Sequence, residues 1–413
     1  MPDRLAARFG ARLDPSSPHP LVVGFSGGSD SLYLLIEACA FGARTGRAVT
    51  ALTVDHGLHP DSAAWTRAAG MAATALGAQW QALAWAGDKP STGLPAAARQ
   101  ARHRLLAEAA RSLGARVILL GHTADDRAEA ALMREGDTPS LPDPREWSPS
   151  PVWPEGRGLF LFRPLLSERR QDLRAALAAR GLAWLEDPAN TDLRFARARA
   201  RHALQRQQDT LVPPAADGRD DAARARLAAQ VTCTAEGFAV FDRGLARGGG
   251  AAELPPVLGA ALVSIGGALS PPPRAALDRL VMRLAGTDTF RTQLAGVRLA
   301  ADAGQVLLAR DARDLRRPTG AGVAGIFDNR FESVPDAVLG CLAGRAARLS
   351  REDRQRLKAI PALARPGLPV LDPDGQTPVL PAPTGTASPA VRALAPARFA
   401  AACGLVACEA EIG

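Results

Sequence analysis

At 413 residues, with 47% hydrophobic and 22% charged residues, the chain has the composition of a globular protein large enough for two or three domains. It contains no run of about 18 apolar residues that would predict a membrane-spanning helix, and its start, MPDRLAARFGARLDP, lacks the apolar core of a secretory leader and reads as a short amphipathic helix, so a cytoplasmic protein is expected. The formal charge of +8 suits a polyanionic partner such as nucleic acid, although nearly all of it is arginine in a chain rich in Ala, Gly and Pro, a bias that GC-rich coding also produces. The five cysteines (Cys39, Cys233, Cys341, Cys403 and Cys408) form no CxxC pair, which argues against a zinc knuckle or an iron–sulfur cluster and fits reduced thiols.

Leu21–Ser31, LVVGFSGGSDS, is the first stretch with a chemical signature. Leu21, Val22, Val23 and Phe25 predict an apolar strand that enters a glycine turn, and an amphipathic helix follows from about Asp30 through Leu34, Leu35 and Ala38. Gly27 and Gly28 let backbone N–H groups approach an anion, Ser26, Ser29 and Ser31 add hydroxyl donors, and the helix turns its positive end to the same point. Asp30 is out of place against bare phosphate and is expected to hold a Mg²⁺ that accompanies the phosphates. The stretch therefore predicts a nucleotide grip, with a plain tight turn as the competing reading. It is neither the Gly-Lys-Ser/Thr P-loop nor the GxGxxG turn of dinucleotide enzymes.

Val49–His56 predicts a second strand, a helix follows from about Asp61 with Ala64, Trp65, Ala68, Met71, Ala72 and Ala75 on one side, and Gln79–Trp85 predicts a third strand. A long helix over Pro95–Leu113 and a strand over Ala115–His122 complete four strand–helix alternations, which imply a parallel sheet covered by helices on both faces. Ligands collect beyond the carboxyl ends of such strands, where Asp55, His56 and His122 fall. After the fourth strand, GHTADDRAE (121–129) opens a helix on which Asp126 and Glu129 are three apart. Their carboxylates share a face and can converge on one cation, either Mg²⁺ or a substrate ammonium; acidic residues in a first turn also simply complement the helix dipole, a competing reading that weighs more for Asp125 than for Asp126 and Glu129. Arg99, Arg102 and His103 share a face of the 95–113 helix, where a solvated surface is the ordinary reading.

Residues 136–158 are rich in Pro, Ser and Gly without a period and predict a loop near the substrate. Phe160–Leu166 resumes an ordered apolar run, and Ser167 is expected to cap a helix that reaches about Arg180 and stops at Gly181. Arg194, Arg197, Arg199, Arg201 and Arg206 then form a basic helix without an acid, apt for a phosphate backbone or for a solvated face. Residues 209–221 predict a linker between a 1–208 domain and the remainder of the chain. Residues 222–247 and 271–303 read as helices of an accessory domain over 222–315, with a strand at Gln305–Ala309; residues 316–413 suggest a small α/β or β-rich module without a catalytic constellation.

The serine-glycine loop resembles the SGGxDS signature of the PP-loop ATP pyrophosphatases, which split ATP into AMP and pyrophosphate. Four further segments resemble those of the tRNA(Ile)-lysidine synthetases within that superfamily: GHTADDRAE their GHxxDDxxE, ARQARH (98–103) their ARxxRY, DHGLH (55–59) their DHGLR, and WLEDPAN (184–190) their WxxDPSN stretch, across about residues 20–205. Departures are His103 for the usual tyrosine, Arg127 for glutamine and Ala130 for a hydroxyl residue. The resemblance implies an α/β, adenine nucleotide α-hydrolase-like catalytic domain that adenylates the C2 oxygen of the wobble cytidine of a tRNA(Ile) with a CAU anticodon and then transfers free lysine to C2. It implies ATP and Mg²⁺ as cofactors, ATP binding by Ser26 to Ser31, catalytic roles for Arg102, His122, Asp126 and Glu129, tRNA contacts from Arg194, Arg197, Arg199 and Arg201, and tRNA acceptor binding by the C-terminal part. A homodimer stays open. Competing classes are a 2-thiocytidine type tRNA enzyme, disfavoured by the missing CxxC, an amide-forming synthetase, which needs no basic helix, and a non-catalytic nucleotide- or RNA-binding module, which gains nothing from Asp126 and Glu129.

Overall fold

Leu21, Val22 and Val23 are fully buried because their strand, β1 (Leu21–Gly24), lies inside a sheet with a parallel neighbour on each side. The computed structural model describes residues 2–135, 144–186, 196–206, 221–248, 252–316, 325–333, 339–371, 378–381 and 391–413. They divide into two units, Met1–Gly218 with Val406–Gly413, and Arg219–Leu405.

In the first unit, α1 (Pro2–Arg12) precedes β1, and α2 (Ser29–Thr45), β2 (Val49–Asp55), α3 (Ser62–Ala75), β3 (Gln79–Ala84), α4 (Leu94–Ser112), β4 (Val117–Leu120) and α5 (Ala124–Glu135) follow. β5 (Trp147–Pro149), β6 (Phe160–Phe162), α6 (Arg170–Ala179) and α7 (Ala196–Arg206) complete it. The sheet order is β3-β2-β1-β4-β6-β5, parallel throughout except for β5, with Val22 opposite Thr50 and Ile118. The expected α/β parallel-sheet fold is present. On one face Val22, Leu52, Ile118, Leu120 and Leu161 pack against Leu106, Ala107 and Ala110 of α4.

Several local expectations change. α3 turns Ala69, Gly70 and Ala73 inward rather than the larger Met71, which is 75% exposed; small residues let the helix lie close to the sheet beside Trp80, whose Nε1 donates to Thr53 Oγ1 at 3.0 Å. Within the 136–158 stretch, read as loop, Trp147–Pro149 forms the antiparallel edge strand β5, a place where Pro149 is tolerated, while 136–143 lie outside the described residues. α6 starts at Arg170, not at Ser167, because its first amide is capped from another helix: Arg170 N donates to Asp125 Oδ2 at 2.8 Å.

The second unit differs from the helical reading of 222–247 and 271–303. α8 (Asp221–Ala228), α9 (Leu254–Gly266), α10 (Arg274–Ala285) and α12 (Ala395–Cys403) accompany a five-stranded antiparallel sheet of β7 (Val231–Cys233), β8 (Phe238–Asp242), β9 (Phe290–Leu294), β10 (Val297–Ala301) and β11 (Gln305–Arg310), in the order β7-β8-β11-β10-β9. β10 alternates buried and half-buried residues, the period of a strand with one covered face, and Val297, Leu299 and Ala301 enter the core with Leu258, Leu262 and Phe399. Short strands β12 (Ile326–Phe327), β13 (Phe331–Ser333) and β16 (Val391–Ala393) form a second sheet, β14 (Leu339–Cys341) pairs with β15 (Pro369–Leu371), and α11 (Arg351–Lys358) lies between those two in sequence.

Residues 406–413 return to the first unit through one buried ion pair. Glu409, 1% exposed, receives both Arg47 Nη1 and Nη2 at 2.7 Å and also the Asp14 amide and the Ser17 hydroxyl at 3.1 Å; Arg116 Nη1 donates to Ile412 O at 2.7 Å. Glu409→Ala leaves the buried Arg47 charge without its counter-ion and is expected to destabilise the first unit by about 3–5 kcal/mol, read as a lowered denaturant midpoint for that unit's transition.

Candidate active site

The loop after β1 ends at the first turn of α2, where Gly28 stands in the cap position with no side-chain bond to the helix amides. Gly27 has φ of +82°, the left-handed region that glycine adopts without penalty, and an added Cβ would lie 2.5 Å from Leu185 Cδ1. Leu185 N donates to Gly27 O at 3.0 Å, so the 184–186 segment is held against the loop. Ser31 Oγ accepts from Ser26 N at 3.2 Å and donates to Gly28 O at 3.0 Å, which makes Ser31 a brace of the turn. Ser26, Gly27, Gly28, Ser29, Asp30 and Ser31 thus form one small structure at a helix N-terminus, a geometry that binds anions.

The turn between β4 and α5 comes close to this helix end. A Cβ on Gly121 would lie 3.0 Å from Asp30 C and O and from Ser31 N, so the close approach depends on glycine there. Thr123 N and Oγ1 both donate to Asp126 Oδ2, at 2.7 and 2.8 Å, locking the carboxylate across the first turn of α5. The other Asp126 oxygen accepts from Arg170 Nη2 at 3.1 Å and Arg197 Nη2 at 2.5 Å. Glu129, 1% exposed, accepts from Arg170 Nη1 at 3.2 Å, Arg201 Nε at 2.8 Å and Arg197 Nε at 2.8 Å. Arg170 Nε reaches Asp30 Oδ2 at 2.8 Å, so one guanidinium binds three carboxylates.

Charges follow this geometry. Burial pushes Asp30 up, with Arg170 pulling it back in part, whereas the pull of Arg197 and Arg170 on Asp126 outweighs burial and holds that carboxyl well below the usual range. His122 Nδ1 accepts from Arg163 Nε at 3.1 Å, which leaves the ring proton on Nε2; burial, reinforced by the charges of Arg163 and Arg102 against the attraction of Asp126, keeps the imidazole neutral at pH 7. Arg102 Nε is buried without a hydrogen-bond partner among the described residues, and burial with the neighbouring charges of Arg99 and Arg197 lowers its pKa to about 10. These features give the site a surplus of cationic donors beside a small acid cluster.

As to a metal, no group of three or more His, Cys, Asp or Glu suited to one occurs among the described residues. The fit rests on Asp30, an oxygen donor at the anion-binding helix end. Mg²⁺ commonly takes one or two carboxylates together with substrate phosphates, and Asp30 suits that role.

Residues 1–208 match the model of a PP-loop domain. The chain is 45% identical over 428 aligned positions to a tRNA(Ile)-lysidine synthase of Caulobacter vibrioides, covering 98% of both chains. It is 34% identical to one of Rhizobium meliloti over 76% of this chain and 73% of that one, and 43% identical to one of Hyphomonas neptunium over 50% and 56%. The chain belongs to the tRNA(Ile)-lysidine synthase family. It is an ATP-using ligase of the PP-loop class. No helix among the described residues is long and apolar enough to cross a membrane.

In this family member the structure brings Asp30, His122, Asp126 and Glu129 into one site, with Arg102 near enough to feel Asp126. Arg197 and Arg201, read from the sequence as tRNA contacts, are spaced i, i+4 on α7 and bind Asp126 and Glu129; Arg199 is exposed, and Arg194 lies outside the described residues, as do 187–190 of the WLEDPAN segment. Sequence reasoning missed Arg163, Arg170 and Arg174. One signal was present: Arg170 is the first residue of a helix, where a positive charge opposes the dipole and implies a stronger partner elsewhere. Arg174 Nη2 pairs with Glu186 at 2.9 Å and its guanidinium lies 5.6 Å from the Trp184 ring, tying α6 to the segment on the loop.

Two histidines predict a pH dependence. His103 is buried and its pKa is lowered to about 2 by burial and by Arg102, and His122 is lowered as well. An unfolded histidine titrates near 6.5, so below about pH 6.5 the unfolded chain binds more protons than the folded one, and this contribution to stability, full above that pH, is lost as pH falls. Denaturant unfolding at pH 7, 6 and 5 should show falling stability, with a shallower slope for His103→Phe.

Proposed function

We propose that the protein ligates the ε-amine of free lysine to C2 of the wobble cytidine, position 34, of a tRNA(Ile) with a CAU anticodon, by way of an adenylated cytidine. The observation that carries this reading is the junction made by Arg170 between an anion-binding helix end and a buried acid pair, a place suited at once to a triphosphate and to a cationic amine. The names of the similar proteins point to the same reaction.

In the first step the C2 oxygen attacks the α-phosphorus of ATP and the bond to pyrophosphate breaks. In the second, the lysine ε-ammonium loses a proton to solvent, the freed amine nitrogen attacks C2, the C2–O bond breaks, AMP leaves with that oxygen, and the nitrogen releases a second proton to solvent. The amides at the head of α2, with the hydroxyls of Ser26 and Ser29, hold the departing pyrophosphate. Asp30, together with the phosphates, would hold Mg²⁺, which would supply charge neutralisation on the phosphoryl oxygens. Arg102 and Arg99 balance the charge of the adenylate, and neutral His122 donates from Nε2 to the activated base. Asp126 and Glu129 orient the lysine, whose ammonium takes the place of one of the guanidinium groups bonded to them here. Arg199 and residues 316–413 serve tRNA binding.

Labelled lysine should enter a CAU-anticodon tRNA(Ile) transcript in the presence of ATP and Mg²⁺, and Asp30→Ala and Asp126→Ala should each reduce the rate by at least about a hundredfold. Cleavage of ATP to AMP and pyrophosphate without lysine transfer would redirect the assignment to another nucleophile. Absence of any ATP cleavage would overturn it.

A further inference from the structure

Arg170 occupies an unusual position among the site's cations. Arg197 and Arg201 bind the α5 acids, whereas Arg170 uses three nitrogens on three carboxylates and reaches Asp30 as well, at 2.8 Å from Oδ2. The second Asp30 oxygen accepts from Ser29 Oγ at 3.0 Å, so both lone-pair sets of the expected metal ligand already have donors. Asp30, Asp126 and Glu129 contribute three negative charges and the arginines bonded to them, Arg170, Arg197 and Arg201, three positive ones; Arg102 and Arg99 add further positive charge nearby, and His122 is neutral. A doubly charged ion entering alone would find a half-buried site with no net attraction for it. One arriving with a triphosphate brings its own counter-charge, and a guanidinium binds phosphate as readily as carboxylate.

We propose that Arg170 is the resident counter-cation of the acid cluster and competes with divalent metal for the Asp30 carboxylate, so that metal is captured only together with nucleotide phosphates, which give the guanidinium a new partner. This rests on the reading of Asp30 as the metal-bearing carboxylate. Arg170 acts through Asp30 and is a positioning residue, and its role predicts a gain that a merely structural residue would not produce: removing it should tighten metal binding rather than weaken it.

The probe is Mn²⁺ alone, titrated into the full chain, with free Mn²⁺ read by electron paramagnetic resonance. In the unsubstituted protein Mn²⁺ should bind the complex with a non-hydrolysable ATP analogue at least about tenfold more tightly than it binds either the protein alone or the analogue alone; an affinity no greater than that of the analogue alone would overturn the proposal without recourse to any variant. Arg170→Gln, its fold checked by circular dichroism, should bind Mn²⁺ without nucleotide about tenfold more tightly than the unsubstituted protein. Arg170→Lys keeps the charge and should stay within about twofold, and adding Asp30→Asn to Arg170→Gln should cancel the gain. Unchanged or weaker binding in Arg170→Gln, or a gain that survives Asp30→Asn, would sink the idea. The titration needs neither tRNA nor lysine, so a failure of lysine transfer and a failure of this competition are read separately.

Discussion

Three carboxylates from two helices meet on one guanidinium, and the rest of the site is arranged around that contact. Asp30 sits on the first turn of α2 and Asp126 and Glu129 on α5, so without a cation between them their mutual repulsion would drive the helix ends apart. Arg170 enters from the first position of α6, and Asp125 caps the amide of that same residue, so backbone and side chain of one position are both fixed from α5. Arg197 and Arg201 extend the network to α7. Buried charges of this kind persist only when every oxygen and N–H has a partner, and Asp126 and Glu129 have all their oxygens bonded.

The sheet makes that meeting possible. β1 and β4 are adjacent and parallel, so the loops leaving their carboxyl ends are neighbours although residues 25–30 and 121–126 are far apart in sequence. Gly121 allows the two turns to touch. At the opposite, amino-terminal ends of β1, β2 and β3 lies a depression of about 450 Å³ lined by Pro18, Arg47, Thr50 and Gln79 among others, which contains none of the site residues. Arg47 in its wall anchors the returning residues 406–413 through Glu409, so the two ends of one sheet carry different features: the arginine–carboxylate cluster at one, attachment of residues 406–413 at the other.

The expectations that held were those carried by dense local signals. The apolar runs of β1, β2 and β4, the serine-glycine turn and the spacing of Asp126 and Glu129 each lie within a few residues, so their local form is legible without tertiary context. Where the signal was weak, partners decided. The inward face of α3 is built of Ala and Gly, a choice that apolar periodicity does not rank above Met71. The strands of the second unit's five-stranded sheet are three to six residues long and pass through alanine- and arginine-rich sequence that also suits helix. Ser167 is a good capping residue by type, yet the cap of α6 comes from Asp125, which no local rule could supply.

By itself the sequence determined the strand–helix alternation, the serine-glycine turn, the acid pair on α5 and the family, because each is written in residue type and spacing over short distances. Only the tertiary structure decided what the arginines do. Arg170 lies 140 positions from Asp30 and 41 from Glu129, and Arg201 lies 72 from Glu129. An arginine's function is set by which carboxylate or phosphate comes within about 3 Å of its planar donors, and that is decided by helix placement on the sheet rather than by any pattern around the residue itself.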